Sequence, residues 1–289
     1  MEGQYLKVVV EGEPHPGTTI NYRRGNGACI LQKRVVDMRK VILLVAVVVL
    51  CILPGCIDSG GAADEEQLDG DMVEIESGGL TYPAYIAYPA EEGKYPAIVL
   101  IHSFNGLEPG YMDMADRVAA EGFVVVAPEW QTHEQSPPDA TVEALISDSL
   151  TYLDTRTDVD PSRFGLTGFC AGGRYTMLFL PQMSEFGSGV AWYGFPYSGG
   201  FNNETIPADV IEGLEAPLLI IHGTRDEASP VGDIYRYATD LDAAGKYFEL
   251  KVYQGEPHGF VIEDGRLSGS FVANDVYEEM VTFFQRTLD

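Results

Sequence analysis

The sequence predicts an α/β fold, with a mainly parallel, doubly wound sheet and helices on both faces. Three observations carry that expectation. Continuous apolar, β-branched runs such as residues 97–102 (AIVLIH) have the pattern of strands buried on both faces. They alternate with amphipathic segments of helix length, the order that a parallel sheet with crossover helices requires. The stretch from Met72 to the C-terminus is 218 residues long, the size of one domain, and no solenoid-type repeat is visible.

In chain order, residues 73–77 and 80–88 form a leading hairpin, and 97–102 is a buried strand. A helix over about 111–121 leads into a strand at 123–127, and a helix over about 140–156 follows. The strand at 164–167 runs into Gly168-Phe169-Cys170-Ala171-Gly172-Gly173 and a helix towards Leu180. Strands at 189–193 and 218–222, a helix near 231–244, a strand at 248–253 and a last helix over about 272–288 complete the order. In such a sheet the reactive groups belong at the carboxyl ends of the strands.

Charge is the most skewed property, with 18 Lys plus Arg against 44 Asp plus Glu and a formal net charge of −26. That excludes a nucleic-acid binder working through phosphate neutralisation. Residues 1–55 carry 7 basic and 4 acidic side chains, so the remainder, with 11 and 40, is near −29 and repels polyanions.

The N-terminal region reads as an address. Arg39 and Lys40 precede thirteen apolar residues, 41–53, and then Pro54-Gly55-Cys56. A membrane span needs roughly 20 apolar residues and a signal-peptide core about 7–15, so the length fits export. Gly55-Cys56 resembles the lipobox of exported lipoproteins, which implies lipidation of Cys56 and a membrane-anchored, extracytoplasmic protein. On that reading Met38 is the start, 38–55 is the signal, and 1–37, which lacks strand or helix periodicity, is a mis-assigned start or tail. A transmembrane anchor is the alternative. Residues 56–71, Gly- and acid-rich, read as a flexible tether before a domain over 72–289. Cys170 then remains as the one free thiol of the mature chain.

Gly168-Phe169-Cys170-Ala171-Gly172 has the spacing of a G-x-S-x-G nucleophile elbow with cysteine in the middle. The strand-to-helix turn is so tight that positions two before and two after the nucleophile take no side chain. A helix N-terminus behind the thiol favours its ionised form. Ala171 N–H and, from the loop after 97–102, Phe104 N–H are the candidate oxyanion donors. Asp226 lies just past the strand 218–222 and His258 just past 248–253, in the chain order nucleophile, acid, histidine.

Trp130, Trp192, Tyr193, Phe195 and Tyr197 are candidates for an apolar pocket wall, Trp192 equally for the core. His102 and His222 end strands and read as structural. Asn203-Glu204-Thr205 is a glycosylation sequon, common by chance. No metal-ligand spacing, phosphate loop or cofactor motif is present.

Together, the segment from Asp160 to Arg174 (DPSRFGLTGFCAGGR) and Trp192-Tyr193-Gly194 resemble the dienelactone hydrolase family, over roughly residues 72–289. The resemblance implies the α/β-hydrolase fold, with Cys170 as nucleophile, His258 as its base and Asp226 orienting His258. It implies a small ester, lactone or thioester as substrate and no cofactor. An acyltransferase, a peptidase or a non-catalytic surface lipoprotein are the alternatives. Two positions depart from the family pattern: Ser103 stands where members often carry a glutamate against the resting cysteine, and Ile262 where an arginine holds a substrate carboxylate. Dienelactone itself is therefore not the expected substrate, unless Arg266 takes over the lost role.

Overall fold

The computed structural model describes residues 8–11, 70–201 and 205–288, all within one compact unit. Residues 12–69 lie outside the described residues, and with them Cys56, the apolar run 41–53 and the proposed tether up to residue 69. Asn203 is also outside.

The strands are β1 (Val8–Glu11), β2 (Asp71–Ser77), β3 (Leu80–Ala87), β4 (Tyr95–Ile101), β5 (Val124–Pro128), β6 (Val159–Phe169), β7 (Phe186–Trp192), β8 (Leu218–Gly223) and β9 (Phe248–Tyr253). A two-residue-per-strand hairpin, β10 (Ile262–Glu263) and β11 (Arg266–Leu267), stands apart. The helices are α1 (Pro109–Ala120), α2 (Asp139–Asp154), α3 (Ala171–Phe179), α4 (Val231–Ala243) and α5 (Phe271–Thr287). The sheet order is β1-β9-β8-β7-β6-β4-β5-β3-β2. Within this sheet β3 runs opposite to the other strands, pairing antiparallel with both β2 and β5.

Parallel strands need crossovers, and the helices supply them on both faces. Alternation along each strand then feeds two cores. Val99 and Ile101 of β4 face α2, α3 and α4 with Leu145, Met177 and Tyr237, while Ile98 and Leu100 face α1 and α5 with Met114 and Phe284. Both faces are therefore apolar, which is why these strands read as unbroken hydrophobic runs.

Three elements differ from the sequence expectation. Residues 1–37 were expected to form no element, yet Val8–Glu11 pairs in parallel with β9 at the sheet edge; a three-valine run has the β-branched bias that suits such an edge. β6 begins at Val159 rather than 164, with a register shift where Asp160-Pro161-Ser162 passes β4, because a proline cannot keep the ladder regular. The β10–β11 hairpin was not expected at all. Its turn, Asp264 (φ 51°) and Gly265 (φ 75°), is the Asp-Gly two-residue loop that needs positive φ at both positions.

Candidate active site

The elbow is built by sterics. Cys170 ends β6 and opens α3 with φ 58° and ψ −111°, a conformation a non-glycine residue adopts only when its surroundings hold it there. A Cβ at Gly168 would strike the Gly172 carbonyl, one at Gly172 the Ile101 carbonyl, and one at Gly173 the Trp192 carbonyl. The Cys170 N–H donates to Trp192 O at 3.0 Å, so the turn is fixed from β7 as well. Ala171 is the first residue of α3, and its N–H has no partner within the helix. Phe104 lines a cavity together with Cys170 and Ala171, and its carbonyl accepts from Gln131 Nε2 at 3.1 Å.

The loops after β8 and β9 are tied together. Thr224 N–H donates to Tyr253 O at 3.0 Å, Arg225 N–H to Glu256 O at 2.9 Å, and Gly255 N–H to Thr224 Oγ1 at 2.8 Å. A side chain at Gly223 would collide with the Glu256 carbonyl. This stitching brings the fully buried Asp226 carboxylate under His258, whose Nδ1–H donates to Oδ2 at 2.7 Å. The other oxygen of Asp226 accepts from Ala228 N–H at 3.0 Å and Ser229 N–H at 2.7 Å, so the carboxylate cannot rotate freely.

The imidazole of His258 is flanked by Tyr193 and Phe195, with ring centroids at 5.0 and 5.5 Å. Burial opposes its charged form. The hydrogen bond donated to Asp226, then hydrogen bonding and charge from Cys170, outweigh that and hold its pKa at about 9. Its Nε2 is buried without a fully formed hydrogen bond, on the side of the ring left to Cys170.

His222 is buried beside the same carboxylate, its Nε2 at 3.5 Å from Asp226 Oδ2 and 2.8 Å from Ser229 O. A carbonyl only accepts, so Nε2 carries the proton. Burial lowers the His222 pKa and keeps the ring neutral. His102 is likewise buried and neutral, its pKa lowered to about 4 by desolvation, and it stacks on Trp130 at 5.3 Å.

Two cavities meet at Cys170, His258 and Phe104. One, of about 380 Å³, is walled by Trp130, Pro137, Tyr175, Phe195 and Phe201, with Ala171 at its floor. The other, of about 410 Å³, is walled by Ser103, Asn105, Glu108, Tyr111, Tyr193 and Asp264, with Ile262 beside them. Trp130 and Phe195 thus line the apolar cavity as expected. Tyr193, expected there, lines the polar one, because its φ of 37° turns the chain at the end of β7. Trp192 lies in the core, stacked on Phe169 at 4.8 Å with Nε1–H donating to Thr167 Oγ1 at 3.0 Å. Tyr197 lines neither cavity and donates to Asp240.

Ser103 is buried in the polar wall, accepting from Asn105 N–H at 3.1 Å and bonded to Tyr111. Arg266 is exposed on β11 and is among the lining residues of neither cavity.

Sequence reasoning missed Glu108, Asn105, Tyr111 and Asp264, which come from separate loops. Only the Asp-Gly turn signalled one of them. It also missed Arg174 as a strut. This buried guanidinium grips Asp139 with two bonds of 2.8 Å and donates to Ser198 O and Thr205 O at 2.8 Å, holding the loop that carries Phe195 and Phe201. Among the described residues no cluster is placed to hold a metal, and no helix is long and apolar enough to cross a membrane.

A doubly wound sheet with a cysteine at a strand-to-helix elbow, and with Asp and His loops after later strands, defines an α/β-hydrolase. The sequence pattern of the dienelactone hydrolase family matches residues 82–288, and the chain belongs to that family. It is 30% identical over 229 residues to a "Putative carboxymethylenebutenolidase" of Methylorubrum extorquens, covering 73% of this chain and 79% of the relative. A protein of the same name from Escherichia coli is 28% identical, with 77% and 89% covered. The crystal structure of a "Putative Dienelactone Hydrolase" from Klebsiella pneumoniae superposes with a TM-score of 0.69 at 26% identity, covering 75% of this chain and 98% of that one. The protein is therefore a hydrolase.

Proposed function

We propose that this hydrolase cleaves a small ester, lactone or thioester through a Cys170-His258-Asp226 triad and a thioester acyl-enzyme. The observation that carries the reading is the 2.7 Å bond from His258 Nδ1 to a buried Asp226, with Cys170 acting on the other side of the ring. With His258 held at about 9, its proton rests on the imidazole at neutral pH, and the Cys170 sulfur beside it is the nucleophile. Sγ attacks the acyl carbon, and the carbonyl oxygen gathers charge against Ala171 N–H and Phe104 N–H. His258 then passes its Nε2 proton to the departing oxygen or sulfur. It next takes a proton from water, whose oxygen displaces Cys170 and releases the acid.

No Arg or Lys lines the polar cavity, and Ile262 and Ser103 stand where the family pattern places an arginine and a glutamate. Neutral short-chain esters and lactones should therefore be better substrates than carboxylate-bearing analogues of equal size. The mechanism is tested by quenching the enzyme during turnover of p-nitrophenyl acetate and mapping peptides by mass. An acetyl adduct on Cys170 supports it; turnover with no adduct there, or an adduct elsewhere, sinks it.

The place of action that fits the N-terminal address is the outer face of the cell membrane, through lipid on Cys56. Mass spectrometry of the mature protein decides this. A lipidated N-terminal Cys56 is expected, and an N-terminus upstream of Met38 overturns it.

A further inference from the structure

Apolar and polar cavities of nearly equal volume open on the same sulfur, and they differ in charge as well as polarity. The arginine that borders the apolar one, Arg174, is already paired with Asp139. The polar one holds two carboxylates, Glu108 and Asp264, and no Arg or Lys among its lining residues; the imidazole that it shares, His258, is already bonded to Asp226. Glu108 sits at the N-terminus of α1 but its side chain caps nothing there, and neither it nor Asp264 has an ion pair among the described residues. Beside them the Tyr193 hydroxyl is buried with no hydrogen-bond partner, a free donor in the same wall. Burial and the surrounding negative charge keep that hydroxyl protonated. Unpaired acceptors and an unused donor around one cavity describe a subsite awaiting a polar, non-anionic group.

We infer that the substrate is bipartite: an aromatic-sized apolar group on one side of the scissile bond, and on the other a polar group bearing positive charge, selected by Glu108. This rests on the Cys170 mechanism proposed above. Each cavity has room for a group of a few heavy atoms up to a ring, and the acyl carbon sits where they join, at Cys170. An ammonium in the polar cavity meets two carboxylates, the half-buried Glu108 and the exposed Asp264, whereas a carboxylate there is repelled by both. The net charge of −26 raises the local concentration of cations further, but that effect is screened by salt and the local one much less.

The test is a matched set of phenylacetate esters whose alcohol is choline, its uncharged isostere 3,3-dimethylbutanol, or glycolate, together with the acetate of each and the reversed set, benzyl esters of betaine and its neutral and anionic analogues. The full-length protein is assayed at 0.5 M salt to suppress long-range steering. In one of the two orientations the ammonium ester should exceed its neutral isostere in kcat/KM by roughly tenfold, the scale of one charge pair at intermediate dielectric, and the anion should be poorest. Glu108→Gln should collapse the ammonium preference several-fold, and Phe201→Ala should shrink the preference for phenylacetyl over acetyl. Equal rates for the three charges in both orientations, or a preference unaltered by Glu108→Gln, overturn the inference. If p-nitrophenyl acetate leaves no adduct on Cys170, the mechanism fails instead; an adduct with flat charge preference rejects the bipartite substrate alone.

Discussion

Asp226 holds His258 with one oxygen while its other oxygen is pinned by two backbone N–H groups of its own loop, at 2.7 and 3.0 Å. The carboxylate is thus a fixed acceptor, and the imidazole tautomer with a proton on Nδ1 follows from it. Asp226→Asn should leave the loop bonds largely in place but replace that acceptor. We expect kcat to fall by about 10³–10⁴, the scale the handed-over tautomer costs in a serine protease. Steady-state hydrolysis of p-nitrophenyl acetate measures it, and a drop under tenfold would place Asp226 outside the mechanism.

Stability should depend on pH through His258. Its folded pKa, about 9, is above the ordinary 6.5, so between these values the native state binds the proton and the unfolded state does not. The contribution is full below about 6.5 and is lost as pH rises through about 9. Urea titrations of wild type and His258→Gln across pH 6–10 should show the wild type losing stability relative to the variant over that window.

Cys170→Ala and Cys170→Gly should both abolish turnover, by a factor on the order of 10⁶. They should differ in stability. The left-handed φ of 58° is strained for alanine and free for glycine, so the glycine variant should be the more stable by about 1–2 kcal/mol. Equal denaturation midpoints would mean that the elbow is relaxed.

Arg174→Leu removes the partner of Asp139 and two carbonyls at once. Losing these charge-assisted bonds from a buried guanidinium should cost about 1–3 kcal/mol. The loop bearing Phe195 and Phe201 should loosen with it, so KM for phenylacetyl esters should rise more than KM for acetyl esters. A wild-type melting temperature would show the strut to be dispensable.

The sheet was legible because burial on both faces writes itself as uninterrupted Val, Ile and Leu, and the elbow because only glycine fits at residues 168 and 172. Asp226 and His258 were legible as positions just past strand ends. The polar cavity was not. Asn105, Glu108 and Tyr111 lie in or near the start of α1, and Asp264 comes from a hairpin more than 150 residues away. They meet only because β11 docks on Gly110, whose N–H donates to Gly265 O at 2.9 Å and where a Cβ would hit the Arg266 and Leu267 backbone. A contact made by an absent side chain leaves no pattern in the chain. Tyr193 misled for a related reason, since alternation along β7 does not survive the positive φ at its end.

That docking has an evolutionary consequence. The hairpin of residues 262–267 contributes Ile262 and Asp264 to the polar wall; Ile262 N–H ties it to Gly259 O of the His258 loop at 2.9 Å, while the turn residue Asp264 is bonded to none of Cys170, Asp226 or His258 among the described residues. Its turn tolerates Asp or Asn ahead of the glycine, so a single codon there changes the charge offered to a substrate and leaves the reactive centre untouched. Drift in six residues can thus carry a lineage from one substrate charge to another while the machinery that breaks the bond is inherited intact.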